Sequence, residues 1–94
     1  MENLGLQSFS PHVHDTFVTT RDGGEVQLVL VEASPLESPA AMSTSFSLLF
    51  HSQSPVLHPQ DIYRLEHPVM GECEIFLVPV GRHESGFVYQ AIFN

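Results

Sequence analysis

The sequence predicts a small all-β domain, an antiparallel barrel or two-layer sandwich of about six strands with a short N-terminal arm or helical turn. Three observations predict it. Short runs of β-branched and aromatic residues recur from His14 to the end of the chain. Breaks rich in glycine, proline and serine separate them. No segment repeats its apolar residues with the helical period for long enough to supply crossover helices, so antiparallel pairing is expected throughout.

The elements follow in order. Residues Met1 to His12 are polar, with Leu4, Leu6 and Phe9 as apolar anchors. Ser8 or Ser10 suits a helix cap and Pro11 a first helical position, so an arm packing Leu6 and Phe9 onto the sheet is expected. His14 to Thr20 (HDTFVTT) reads as the first strand. Arg21-Asp22-Gly23-Gly24 offers the positive φ angles of a tight hairpin. Glu25 to Ala33 (EVQLVLVEA) returns as the second strand, with Val26, Leu28 and Leu30 on one face and Val29 and Val31 on the other.

Ser34 to Thr44 has prolines, serines and no strand period, which marks a surface loop. Ser45 to Ser52 (SFSLLFHS) is the third strand, with Phe46, Leu48 and Phe50 inward. Pro55 and Pro59 exclude a central strand from Ser54 to Gln60. Asp61 to His67 (DIYRLEH) is the fourth strand, with Tyr63 and Leu65 opposite Arg64 and Glu66. In Glu72 to Val80, Phe76, Val78 and Val80 alternate with Cys73, Ile75 and Leu77, so a central strand with Phe76 and Val78 in the packed interior is expected. Pro79 is expected at a bulge or at the last pairing position. Gly81 to Gly86 reads as a loop, and Phe87 to Phe93 (FVYQAIF) as the sixth strand, with Phe87, Tyr89, Ala91 and Phe93 on one face. As the last strand it is a candidate edge through which two copies would pair into a homodimer.

Composition narrows the function classes. The 94 residues suit one domain over 1–94, and a 43% apolar content is too high for a disordered chain. Three basic residues against 11 acidic ones give a net charge of −8. Such a chain is repelled by phosphate backbones and anionic lipid surfaces, which argues against nucleic-acid and membrane partners. Solubility is the plain reading of the acidity, which the sequence alone favours, and a protein partner with a basic face is the sharper one. No apolar run is long enough to cross a bilayer, and MENLGLQSFS has neither the positive charge nor the apolar core of a signal peptide, so a cytoplasmic location, or carriage within an assembly, is expected.

Candidate chemistry is sparse. His12 and His14 would share one strand face beside Asp15, while His51, His58, His67 and His83 are scattered. Zinc needs three or four convergent ligands, and no spacing here supplies them, so the His12/His14 pair reads as adventitious. There is no nucleophile elbow and no phosphate-binding glycine loop. Glu72 and Glu74 share a strand face and read as a charged rim. Cys73 reads as a small core residue, and Arg21, Arg64 and Arg82 as partners for nearby acids. No catalytic, metal or cofactor residues are therefore expected.

One resemblance extends over nearly the whole chain. Its residues are FSPHVxDTF at Phe9 to Phe17, VxLxLVE at Val26 to Glu32, FSLLF at Phe46 to Phe50, YRLEHPxxGE at Tyr63 to Glu72, IFLVPVG at Ile75 to Gly81 and YxAIFN at the end. They resemble a family of short bacterial proteins known only as a domain of unknown function. The resemblance implies glycine at the position of His14, and a gene neighbourhood containing phage-tail-collar-like proteins. It brings no catalytic residues. The function expected is a non-enzymatic interaction or structural module, with service as an accessory of a phage-tail-like assembly as the finer expectation. The alternative is a small-molecule-binding barrel or minor enzyme, in which Tyr63, Tyr89 and the histidines would converge on a pocket.

Overall fold

The structure, a computed structural model, describes residues 5–21, 23–36 and 45–93. Helix α1 (Leu6–Phe9) runs into a 3-10 turn at Ser10–His12. Six strands follow: β1 (Thr16–Arg21), β2 (Gly24–Pro35), β3 (Phe46–Ser52), β4 (Asp61–His67), β5 (Gly71–His83) and β6 (Gly86–Phe93). All pair antiparallel, in the order β1-β2-β3-β6-β5-β4, and β4 closes back on β1. Of the two architectures expected, the chain adopts the barrel.

Alternation builds the interior. Phe17, Leu28, Leu30, Phe46, Leu48, Phe50, Leu65, Ile75, Leu77 and Ala91 are all buried and point inward from successive strands. Phe17 and Phe50 meet edge to face with ring centres 5.6 Å apart. The arm closes one end. Phe9 is fully buried, with its ring 6.0 Å from Phe46 and 5.8 Å from Phe93, and the last two stack at 4.5 Å. The short helix is held at its start by Ser8, whose hydroxyl oxygen accepts the Gly5 N–H at 3.2 Å. The segment after β3 closes the other end. The buried Tyr89 hydroxyl accepts the His58 N–H at 3.0 Å, and the Tyr63 hydroxyl donates to the Pro59 carbonyl.

Several expectations change. β6 is flanked by β3 and β5, so it is no edge, and homodimer formation by pairing along it has no free ladder to use. Phe76 and Val78 belong to the outer wall of β5, because Cys73, Ile75 and Leu77 take the inward places; Phe76 is 52% exposed. The expected loop at Gly81–Gly86 shrinks to a turn at Glu84-Ser85, since β5 continues to His83. Pro79 does sit at a bulge, where the β5/β6 register slips between Pro79 and Gly81. A second bulge, between Leu30 and Glu32, lets β2 bend round the barrel. His14 lies before the first strand, at φ 80°, so its side chain does not share a strand face with His12. Most of the expected Ser34–Thr44 loop lies outside the described residues.

The barrel is closed unevenly. β1 and β4 share one register pair, Val18 with Glu66, whereas the other neighbours pair along most of their length. Beyond that pair the seam is bridged by side chains. Arg21 Nη2 lies 2.8 Å from Asp61 Oδ2, and its guanidinium sits 4.0 Å above the Tyr63 ring.

Candidate functional site

Among the described residues the interior holds no chamber. The void among Thr19, Val26, Leu28, His58, Tyr63, Leu77 and Tyr89 holds about 10 Å³, on the scale of one water molecule. Tyr63, Tyr89 and His58 do converge, as the small-molecule reading asks, but the two tyrosine hydroxyls hold the 53–60 segment over the barrel mouth, one accepting the His58 backbone N–H and the other donating to the Pro59 carbonyl.

The one cluster with the composition of a metal site, among the described residues, is His12, Asp15 and His67, whose ligand atoms lie within 4.8 Å of one another. The 3-10 turn delivers His12, the residue before β1 delivers Asp15, and the end of β4 delivers His67. Asp15 Oδ2 lies 2.8 Å from His67 Nε2 and 3.0 Å from His12 Nδ1. The hydrogen bonds assign the protons. His67 Nδ1 accepts the backbone N–H groups of Val69 at 3.0 Å and Met70 at 3.2 Å, so it carries no hydrogen. The ring proton is therefore on Nε2, which donates to Asp15, and His12 donates its Nδ1–H to the same oxygen. These bonds, His67 first and His12 second, hold the Asp15 carboxyl below its ordinary range.

A cation on His67 Nε2 would have to displace that proton while Nδ1 stayed an acceptor, leaving an imidazolate. The arrangement fits a hydrogen-bonded clasp between the arm and the barrel better than a metal centre. His14 takes no part. The sequence signal that was missed is His67-Pro68 followed by Gly71: the histidine caps its own turn, and Gly71 at φ 78° starts the next strand.

The outer wall is more telling. On β4 and β5 three successive outward positions face each other: Ile62 with Phe76, Arg64 with Glu74, and Glu66 with Glu72. Ile62 is 60% and Phe76 52% exposed. Extending the β5/β6 register from Val78 and Gln90 sets Ile92, also half exposed, beside Phe76. Arg64 reaches Glu74 at 3.8 Å. A groove of about 430 Å³ follows the thin β1–β4 seam and is lined by Val18, Thr20, Ile62, Arg64, Glu66 and Glu74 among others.

The remaining singled-out residues fall into place. Cys73 is buried, and burial pushes its thiol pKa up; Glu72 and Glu74 point away from it. Arg21 and Arg64 pair with acids as expected. Arg82 instead lies over the Phe87 ring at 5.5 Å. No helix among the described residues is long and apolar enough to cross a membrane.

The chain belongs to the family described as Domain of unknown function (DUF6916), whose family model matches residues 4–93. No curated protein and no solved structure matches it.

Proposed function

We propose that this protein is a non-enzymatic interaction module that engages a protein partner through the outer wall of β4 and β5. One observation carries the reading. Among the described residues the interior is filled and tied shut at both ends, while Ile62 and Phe76 stand opposite each other in solvent, next to the charged pairs Arg64–Glu74 and Glu66–Glu72. Cross-strand apolar pairs of this kind usually face a core, and their exposure here marks a surface that something covers. Service as an accessory of a phage-tail-like assembly is the finer proposal, supported by the sequence resemblance and by a rigid barrel with its contact surface on the outside.

The experiment places a photo-cross-linking amino acid at Ile62 or Phe76 in the native cell, with Glu32 on the opposite wall as control. A discrete protein adduct at the first two sites and not at Glu32 is expected. Equal labelling at all three sites, or none, overturns the reading. An adduct with a phage-tail-collar-like protein supports the finer proposal, and an adduct with any other protein removes it.

A further inference from the structure

We infer that the partner presents a basic face with an apolar anchor, arranged to meet Phe76 and Ile62 at one end and Glu66 and Glu72 at the other. The inference rests on the interaction-module reading and names the chemistry of what binds there. The three outward pairs form a gradient along the wall, from apolar through an ion pair to two like charges. Glu66 and Glu72 are directly opposed and exposed, and neither forms an ion pair among the described residues. Directly opposed like charges destabilise a sheet. The one nearby cation, Arg64, is turned to Glu74. Glu25 adds to the same field, since it lines a depression with Val18 and Glu66.

This end of the wall is therefore short of positive charge in the free protein. A lysine or arginine from outside would relieve it while an apolar side chain covered Phe76. At ~3.3 Å per residue, the acidic and apolar ends stand about 13 Å apart along β5. A second copy of this chain is a poor fit, because it would bring the same acidic wall and a net charge of −8. Nucleic acids and anionic lipids are repelled for the same reason.

The test is a titration of the isotopically labelled protein, followed by amide NMR shifts, with two short synthetic peptides. In the first, arginines alternate with serines and end on phenylalanine; in the second, glutamates replace the arginines. The basic peptide is expected to shift the amides of Ile62, Glu66, Glu72 and Phe76 saturably. Its affinity should fall about tenfold in the Glu66→Gln/Glu72→Gln variant, as for the loss of a charged contact. The acidic peptide should shift none of them. The same variant should melt about 1–5 °C higher, because the repulsion is gone.

Equal binding of both peptides, unchanged affinity in the variant, a lower melting temperature or no shifts at all overturns the inference. Equal binding that is lost in Phe76→Ser leaves the interaction wall standing and removes only the basic partner. Absence of shifts with either peptide removes the basic partner too, and the cross-linking at Ile62 and Phe76 then decides the wall separately.

Discussion

Asp15 Oδ2 accepts the Nε2–H of His67 at 2.8 Å, joining the start of β1 to the end of β4 across 52 residues of sequence. This clasp lies at the end of the barrel where the arm docks, and His12 ties the arm to the same oxygen. The bond has a pH consequence. The folded Asp15 pKa is lowered, so its contribution to stability is present above the unfolded carboxylate value and is lost as pH falls through the folded one. Asp61, lowered by Arg21 and by the Ile62 N–H, acts in the same window. Asp15→Asn should flatten the acid limb of the stability curve below about pH 4, and chemical denaturation at several pH values measures it. An unchanged limb would show that Asp15 makes no such bond in solution.

His51 governs a second, higher window. Burial first, and then the charge of His83, push its pKa down; the two rings lie 4.3 Å apart. A histidine whose folded pKa is depressed adds stability above its unfolded value and loses it as pH falls from there. Stability should therefore decline below about pH 6.5, well before the carboxylates titrate. His51→Gln should remove that step, leaving the acidic one. The same pH series reads both.

Much of this fold was legible because period-2 patterning and turn residues coincide. β4 was delimited to the residue, since Pro59 and Pro68 bracket it and Tyr63 and Leu65 alternate with Arg64 and Glu66. Leu77 and Phe76 show the limit. Where both faces of a strand are apolar, alternation cannot say which face turns inward, and only the register with β4, set by Gly71 and the turn before it, decides. The place of β6 inside the barrel is not legible in the sequence, because strand order depends on non-local closure, Phe46 against Phe93, which no local pattern encodes. The histidine clasp was hidden for the same reason: Asp15 and His67 meet only once the barrel has closed.

His14 is held at φ 80° with an exposed side chain that makes no hydrogen bond among the described residues. A residue with a Cβ pays roughly 1–2 kcal/mol in this region, which glycine avoids. The sequence resemblance implies glycine here, and the backbone supplies the physical reason. His14→Gly should stabilise the fold by about 0.5–1 kcal/mol after allowing for the looser unfolded chain. A shift in the urea midpoint at constant slope checks it; a loss of stability would mean that the ring makes a contact of its own.

Gly86 is constrained by space. A Cβ there would lie 1.7 Å from the Ser52 carbonyl oxygen and 2.7 Å from its carbon. Both are backbone atoms, at the point where β6 starts against the end of β3. Neither can move without disturbing the Ser52–Phe87 pairing or the segment that leads on to His58. Gly86→Ala should therefore cost about 2–4 kcal/mol, in the range of a severe steric substitution, whereas Gly81→Ala, with open space around its Cβ, should be nearly neutral. Paired denaturation curves distinguish the two.

The β1–β4 seam has the least backbone pairing to hold it, so its opening should be controlled by side chains. Arg21 is the main candidate, because it binds Asp61 and also covers the Tyr63 ring. Replacing it with alanine removes both contacts at the end of the seam farthest from the Val18–Glu66 pair. The amides of Thr19 to Arg21 and Ile62 to Arg64 that face the seam should then exchange about fivefold faster, as expected for losing roughly 1 kcal/mol of cation–π contact. Those of β3 and β6, which pair with each other along their length, should keep their rates. Arg21→Lys should recover part of the protection, because it keeps the charge near Asp61 but loses the flat stacking on Tyr63. Uniformly faster exchange across all strands would instead mean that Arg21 stabilises the whole barrel, and that the seam has no independent opening.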